Sequence, residues 1–125
     1  MSVTLVGKIL IVEDSRSELE LMTYYLQDSG YEVIKAASGK EALEKVLSEH
    51  PDVIVTDVVM PEMSGFELCR SLRKNPVTQN LPIVICSSKN QEIDKIWAIK
   101  QGADVYLTKP YTREQLLAAI KSVVV

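Results

Sequence analysis

The sequence holds a single histidine, and it stands where chemistry has little use for it. His50 precedes Pro51 at the end of a helical pattern, a structural position that gives no sign of carrying phosphate. The two cysteines, Cys69 and Cys86, lie far apart and form no C-x-x-C pair. They read as reduced, buried thiols of a cytosolic protein rather than a disulfide. A basic excess is missing too: seventeen acids against fourteen bases leave a net charge of −3. That balance excludes a binder of the nucleic-acid backbone, which needs clustered positive charge. No apolar run approaches the roughly 20 residues that span a bilayer, so no membrane insertion is expected. The apolar opening stretch Met1–Val12 is broken by Lys8 and has neither a basic leader nor a small-residue cleavage site, which speaks against a signal peptide. Repeats, low-complexity tracts and linkers are likewise missing. At 125 residues the chain reads as one cytoplasmic domain, 1–125, of ordinary size.

What is present is alternation. Lys8–Val12, Asp52–Thr56 and Leu81–Cys86 are short, β-branched, nearly continuous apolar runs, and Glu32–Lys35 and Asp104–Thr108 are weaker versions. Such runs suit strands buried on both faces of a parallel sheet. Helix-period segments separate them. Ser15 is placed to cap the first, with Glu18 completing a capping box, Leu19, Met22 and Leu26 on one face, and Gly30 stopping it. Ser38 opens a second with Ala42, Leu43, Val46 and Leu47 inward, and Ser64 a third with Phe66, Cys69 and Leu72. The fourth spans about Gln91 to Gln101, with Ile93, Ile96 and Trp97, and ends at Gly102. Thr112 caps the fifth, with Glu114 or Gln115 in its first turn and Leu116, Leu117 and Ile120 inward. Five β–α units with right-handed crossovers predict a flavodoxin-like (βα)5 fold, a doubly wound parallel sheet of strand order 2-1-3-4-5.

In such sheets ligands bind at the carboxyl ends of the strands. Glu13 and Asp14 follow the first strand, Asp57 the third, Ser87 and Ser88 the fourth, and Lys109-Pro110 the fifth. Three acids, a hydroxyl and an ammonium therefore converge on one edge. Two like charges about 4 Å apart repel by ~4 kcal/mol at an effective dielectric near 20, so the acids call for a cation. A small oxygen-only donor set favours Mg²⁺, with a phosphate oxygen and water completing its shell. A carboxylate nucleophile, Mg²⁺, Lys109 and the Ser87 hydroxyl together make a phosphoryl-transfer site with Asp57 as acceptor. The loop Val58-Val59-Met60-Pro61, leading to Gly65, turns tightly, and the Val59 backbone carbonyl can add a metal oxygen.

Ile9-Leu-Ile-Val-Glu-Asp14, Asp57-Val-Val-Met-Pro61 with Gly65, Ser87-Ser88 and Lys109-Pro110 together resemble the response-regulator receiver domain over essentially the whole chain. The resemblance implies Glu13 and Asp14 as the acid pair at the metal, Asp57 as phosphoacceptor and Ser87 as the switch hydroxyl. It also implies Lys109 as the phosphate contact, a cis Lys109–Pro110 bond, and Tyr106 as the aromatic switch position. It further implies a histidine kinase or histidine phosphotransfer domain as donor and a downstream protein target. With no output domain expected after residue 125, the chain is similar to CheY-like stand-alone receivers. Ser88–Trp97 and Lys100–Ala103 are most similar to the PilH-type twitching-motility regulators, pointing to motility or chemotaxis signalling by a monomer or a weak phosphorylation-dependent dimer. Departures from the family pattern are Glu-Asp for the commoner Asp-Asp, Ser87 for Thr and Tyr111 for Phe. Val59 and Lys89 flank the route of an attacking water, and Val59 cannot orient one, so self-dephosphorylation is expected to be slow.

Each residue has a plainer reading. Asp57 could cap a turn, and Asp14 the first helix, although Ser15 is expected to take that place. Glu13 binds the metal directly, acts through water, or holds the lysine. Tyr106 packs half-buried or switches; Trp97 is core or a partner contact; Lys89, Lys95, Lys100 and Lys121 form a solvated face. Three rival functions remain: a phosphorylation-independent docking pseudo-receiver, a small Mg-dependent phosphohydrolase, and a flavin carrier. The phosphohydrolase would need a second acid where Val59 stands. The flavin carrier would need a glycine-rich loop where Glu13 and Asp14 stand.

Overall fold

A computed structural model describes residues 7–124. The first half of the apolar opening stretch, Met1–Val6, and Val125 lie outside the described residues. The elements alternate strictly: β1 (Lys8–Val12), α1 (Arg16–Asp28), β2 (Glu32–Ala36), α2 (Gly39–Glu49), β3 (Val53–Asp57), α3 (Gly65–Lys74), β4 (Ile83–Ser87), α4 (Glu92–Lys100), β5 (Val105–Thr108) and α5 (Arg113–Val123). All pairings are parallel and the sheet order is β2-β1-β3-β4-β5, as the alternation predicts.

The central strands have no polar face because both faces are covered. Ile9, Ile11, Val53, Val55, Val84 and Cys86 pack with Met22, Leu26, Leu116 and Ile120 of α1 and α5. The intervening residues Leu10, Val12, Ile54, Ile83 and Ile85 point the other way, onto Ala42, Val46, Leu68, Leu72 and Ala98 of α2, α3 and α4. Three helix starts are capped as read: Ser38 accepts from the Glu41 amide, and Ser64 with Glu67 and Thr112 with Gln115 form capping boxes.

Three expectations are corrected. Ser15 is the N-cap residue of α1, but its side chain caps no amide, and Glu18 does not reach back to complete a box. The Glu18 carboxylate is held instead by Lys109, a charged partner stronger than a backbone amide. In α4 the apolar stripe faces outward: Ile93, Ile96 and Trp97 are 63%, 45% and 47% exposed, and Ala98 is the only buried residue. α4 covers the thin β5 edge, and the face that fits there carries Asp94, Lys95, Ala98 and Gln101, all buried or half-buried. Leu47 of α2 is also half-exposed rather than inward.

The α4–β5 turn is fastened from α3. Arg73 donates to the Gly102 carbonyl (2.9 Å), to those of Gln79 and Leu81, and to Asp104 (3.0 Å). Arg70 donates to the Gln101 side chain, and the Cys69 thiol to the Gln101 carbonyl. At the other end of α3, Gly65 lies so close to β3 that a Cβ would overlap the carbonyl oxygen of Asp57. Gly65→Ala is therefore expected to cost about 1–3 kcal/mol of stability, the usual penalty of forced overpacking. Urea unfolding reads this, and a loss below ~0.5 kcal/mol, the ordinary scatter of surface substitutions, would mean that the start of α3 is free to shift.

Candidate functional site

Register brings the site residues to one edge. Asp57 is the last residue of β3 and pairs with Cys86, while Ser87 ends β4 opposite Thr108, so Lys109 leaves β5 one residue beyond. The Lys109 amide donates to the Ser87 carbonyl (2.8 Å), and the Lys109–Pro110 bond is cis. Glu13 and Asp14 follow β1 directly, and the Glu13 amide continues the ladder to Ala36.

One ligand oxygen from each of Glu13, Asp14 and Asp57 lies within 4.8 Å of the others. Glu13 is 2% exposed and accepts from the Ser15 amide (3.2 Å) and from Lys109 (3.1 Å). Asp57 accepts from the Val58 amide (2.7 Å), and its other oxygen stands 3.6 Å from the Lys109 ammonium. Asp14 is exposed and opens the group to solvent. The donors are oxygens alone, with one side wet. This set fits a hard divalent cation such as Mg²⁺, which binds through one or two carboxylates and keeps several waters. A nitrogen- or sulfur-seeking metal has nothing to prefer here.

A fourth carboxylate escaped the sequence reading. Glu18, in the first turn of α1, accepts from Lys109 at 2.5 Å. Its partner is 91 residues away, so no local window of the chain shows the pair.

Electrostatics follow from this crowding. Burial raises the Asp57 pKa, outweighing the lowering by Lys109 and by the Val58 amide. Burial likewise raises Glu13 despite Ser15 and Lys109. Burial opposes the charge of Lys109, but the bond to Glu18 and the charges of Asp57 and Glu13 prevail and hold its pKa well above lysine's usual range. Desolvation pushes the Cys69 thiol up to about 11 and Cys86 to about 12, so both are inert packing groups.

Ser87 is fully buried, and its hydroxyl accepts from the Lys89 amide at 3.1 Å. Tyr106 is half-buried, and its hydroxyl donates to the Lys89 carbonyl at 2.5 Å. Ser87 and Tyr106 thus meet through the backbone of Lys89, whose side chain is exposed. Val59 is 59% exposed in the loop after β3. Trp97 is on the surface and His50, a left-handed C-cap of α2, is remote from the carboxyl edge in sequence and role.

Residues 9–121 match the model of the response regulator receiver domain. The chain is 42% identical over 117 residues to protein PilH of Pseudomonas aeruginosa, covering 94% of this chain and 97% of that protein. It is 41% identical over 116 residues to the alkaline phosphatase synthesis transcriptional regulatory protein PhoP of Bacillus subtilis, covering 93% of this chain and 48% of that one. The chain thus spans about half the length of PhoP and nearly all of PilH. The chemotaxis response regulator CheY4 of Vibrio cholerae superposes with a TM-score of 0.89 at 37% identity, covering 94% of this chain and 98% of that one. The chain belongs to the response regulator receiver domain family, a family of signalling domains rather than classical enzymes. Among the described residues no helix is long and apolar enough to cross a membrane.

The raised carboxylate pKa values carry a sign. An acid with a higher pKa folded than unfolded binds more protons folded, so its contribution to stability falls as pH climbs through the window between the two values. In the presence of a chelator, Asp57→Asn is therefore expected to be more stable than wild type at pH 7. The gain should vanish below an aspartate's ordinary value of 3.8. Urea melts at pH 7 and at about pH 3.5 check it; equal stability at pH 7 would contradict the burial penalty.

Proposed function

We propose that this receiver domain accepts a phosphoryl group on Asp57 from a phosphohistidine of a histidine kinase or phosphotransfer domain. The observation that carries the reading is the meeting of Glu13, Asp14 and Asp57 beside the Lys109 ammonium at the carboxyl edge. An Asp57 oxygen attacks phosphorus, the bond to the donor nitrogen breaks, and an acyl phosphate remains. Glu13, Asp14, Asp57 and the Val59 carbonyl would hold Mg²⁺, which when bound offsets the crowded negative charge and binds a phosphate oxygen. Lys109 supplies a second positive charge, and Ser87 a hydrogen-bond donor, to the remaining oxygens.

The consequence for the rest of the molecule is a two-state switch. Ser87 would leave the Lys89 amide for the phosphoryl group, the Tyr106–Lys89 tie would loosen, and the surface of α4, β5 and α5 would change. A downstream protein must bind one state better than the other, since equal affinity shifts nothing. The exposed Ile93, Ile96 and Trp97 support that surface as the partner site. Similarity to PilH and CheY4 supports a cytoplasmic place in motility or chemotaxis signalling.

Incubation with Mg²⁺ and acetyl phosphate should add one phosphoryl group by intact mass to wild type, none without Mg²⁺ and none to Asp57→Asn. No addition to wild type under any small-molecule or protein donor would favour a docking module instead. The phosphorylated protein should lose its label slowly, and Val59→Asn, which places a water-orienting amide at that position, should lose it faster. Equal decay of the two would remove Val59 from the account.

A further inference from the structure

Glu18 has no part in the chemistry so far. Yet it makes the shortest of the Lys109 contacts, 2.5 Å against 3.1 Å to Glu13 and 3.6 Å to Asp57. The ammonium has three protons and sits closer to Glu18 on α1 than to Glu13 or Asp57. Beside the pair lies a cavity of about 300 Å³ bounded also by Leu21, Tyr25, Pro110 and Tyr111. The gap between α1 and the β5–α5 connection is thus bridged there by an ion pair rather than filled by packing. The Glu18 side chain is 45% exposed and has room to withdraw.

We propose that Glu18 is a positioning residue: it holds the Lys109 ammonium on the α1 side, and an incoming phosphoryl group must win the ammonium from it. This rests on the reading of Asp57 as phosphoacceptor and deepens it. Two anions compete for one cation. Bonding that Lys109 already gives to Glu18 stabilises the resting state, and only interactions that strengthen in the transition state speed the step. Glu18 is therefore a restraint on phosphorylation. With acetyl phosphate the step balances without further reactants: an Asp57 oxygen bonds to phosphorus, acetate leaves with the electrons of its P–O bond, and Lys109 keeps its protons.

Rates of labelling by acetyl phosphate at saturating Mg²⁺, read by intact mass, decide it. Glu18→Gln removes the charge. Glu18→Asp keeps the charge but is one methylene too short for the contact. Both should be faster than wild type by about two- to five-fold, the rate equivalent of a partly exposed ion pair. In a Lys109→Gln background neither change should matter, because the cycle isolates the pair. Single variants that match wild type, or are slower, overturn the inference. So does acceleration by Gln alone that persists without Lys109, since that is direct charge repulsion of the donor. Should the Lys109→Gln background label too slowly to read, Glu18→Asp decides alone. A wild type that takes up no phosphoryl group removes the Asp57 reading and this inference with it. A wild type labelled on Asp57 at a rate its Glu18 variants share removes this inference only.

Discussion

The Lys109 ammonium is what lets four carboxylates occupy one edge of the sheet. Glu13, Asp57 and Glu18 each lie within 4 Å of it, and Asp14 stands beside the first two. At an effective dielectric near 20, two like charges about 4 Å apart repel by ~4 kcal/mol, a large part of the roughly 5–15 kcal/mol that holds an ordinary domain together. The parallel sheet creates the problem, because it delivers every strand's following residue to the same end. It also supplies the answer, by bringing β5 and its lysine to that end. Fold and charge distribution are therefore one constraint seen twice. The strand order that places Asp57 between Glu13 and Ser87 also places the cation that makes the arrangement tolerable.

Much of this was legible in the chain. Continuous β-branched runs at Ile9–Val12, Val53–Val55 and Ile83–Cys86 announce strands covered on both faces, and the helices between them compel parallel pairing. From there the meeting of Glu13, Asp14, Asp57, Ser87 and Lys109 is a matter of topology. Periodicity was weaker at saying which face of a helix turns inward. In α4 the isoleucines and Trp97 form a clear stripe, but the narrow seat over β5 takes Ala98, and bulk there would not fit so close. Local rules also gave way to distant charge at α1. Ser15 and Glu18 have the spacing of a capping box, yet Lys109, 91 residues away, takes the glutamate. No local window contains that partner.

The two ends of the site differ in how firmly they are built. On the β3 side, the Val58 amide, the Gly65 amide bond to the Val58 carbonyl and the close approach of Gly65 lock Asp57 to α3. On the β4 side, Ser87 and Tyr106 are each held by one bond to Lys89, and those bonds can be exchanged. Under the proposed switch, a change at Asp57 would pass toward the looser side, where Ser87 and Tyr106 share the backbone of Lys89.

The fastening of α4 has a mechanical meaning. Its C-terminal end is gripped by Cys69, Arg70 and Arg73 through Gln101 and Gly102, while its N-terminal end is tied chiefly within itself, Gln91 to Asp94. A rod clamped at one end swings like a lever about that fulcrum. Under the proposed switch, a displacement entering from the Ser87–Lys89 segment would act on the free end of that rod. Ile93 would then travel furthest and Ile99 least, so the rearrangement would become a graded tilt of the apolar face.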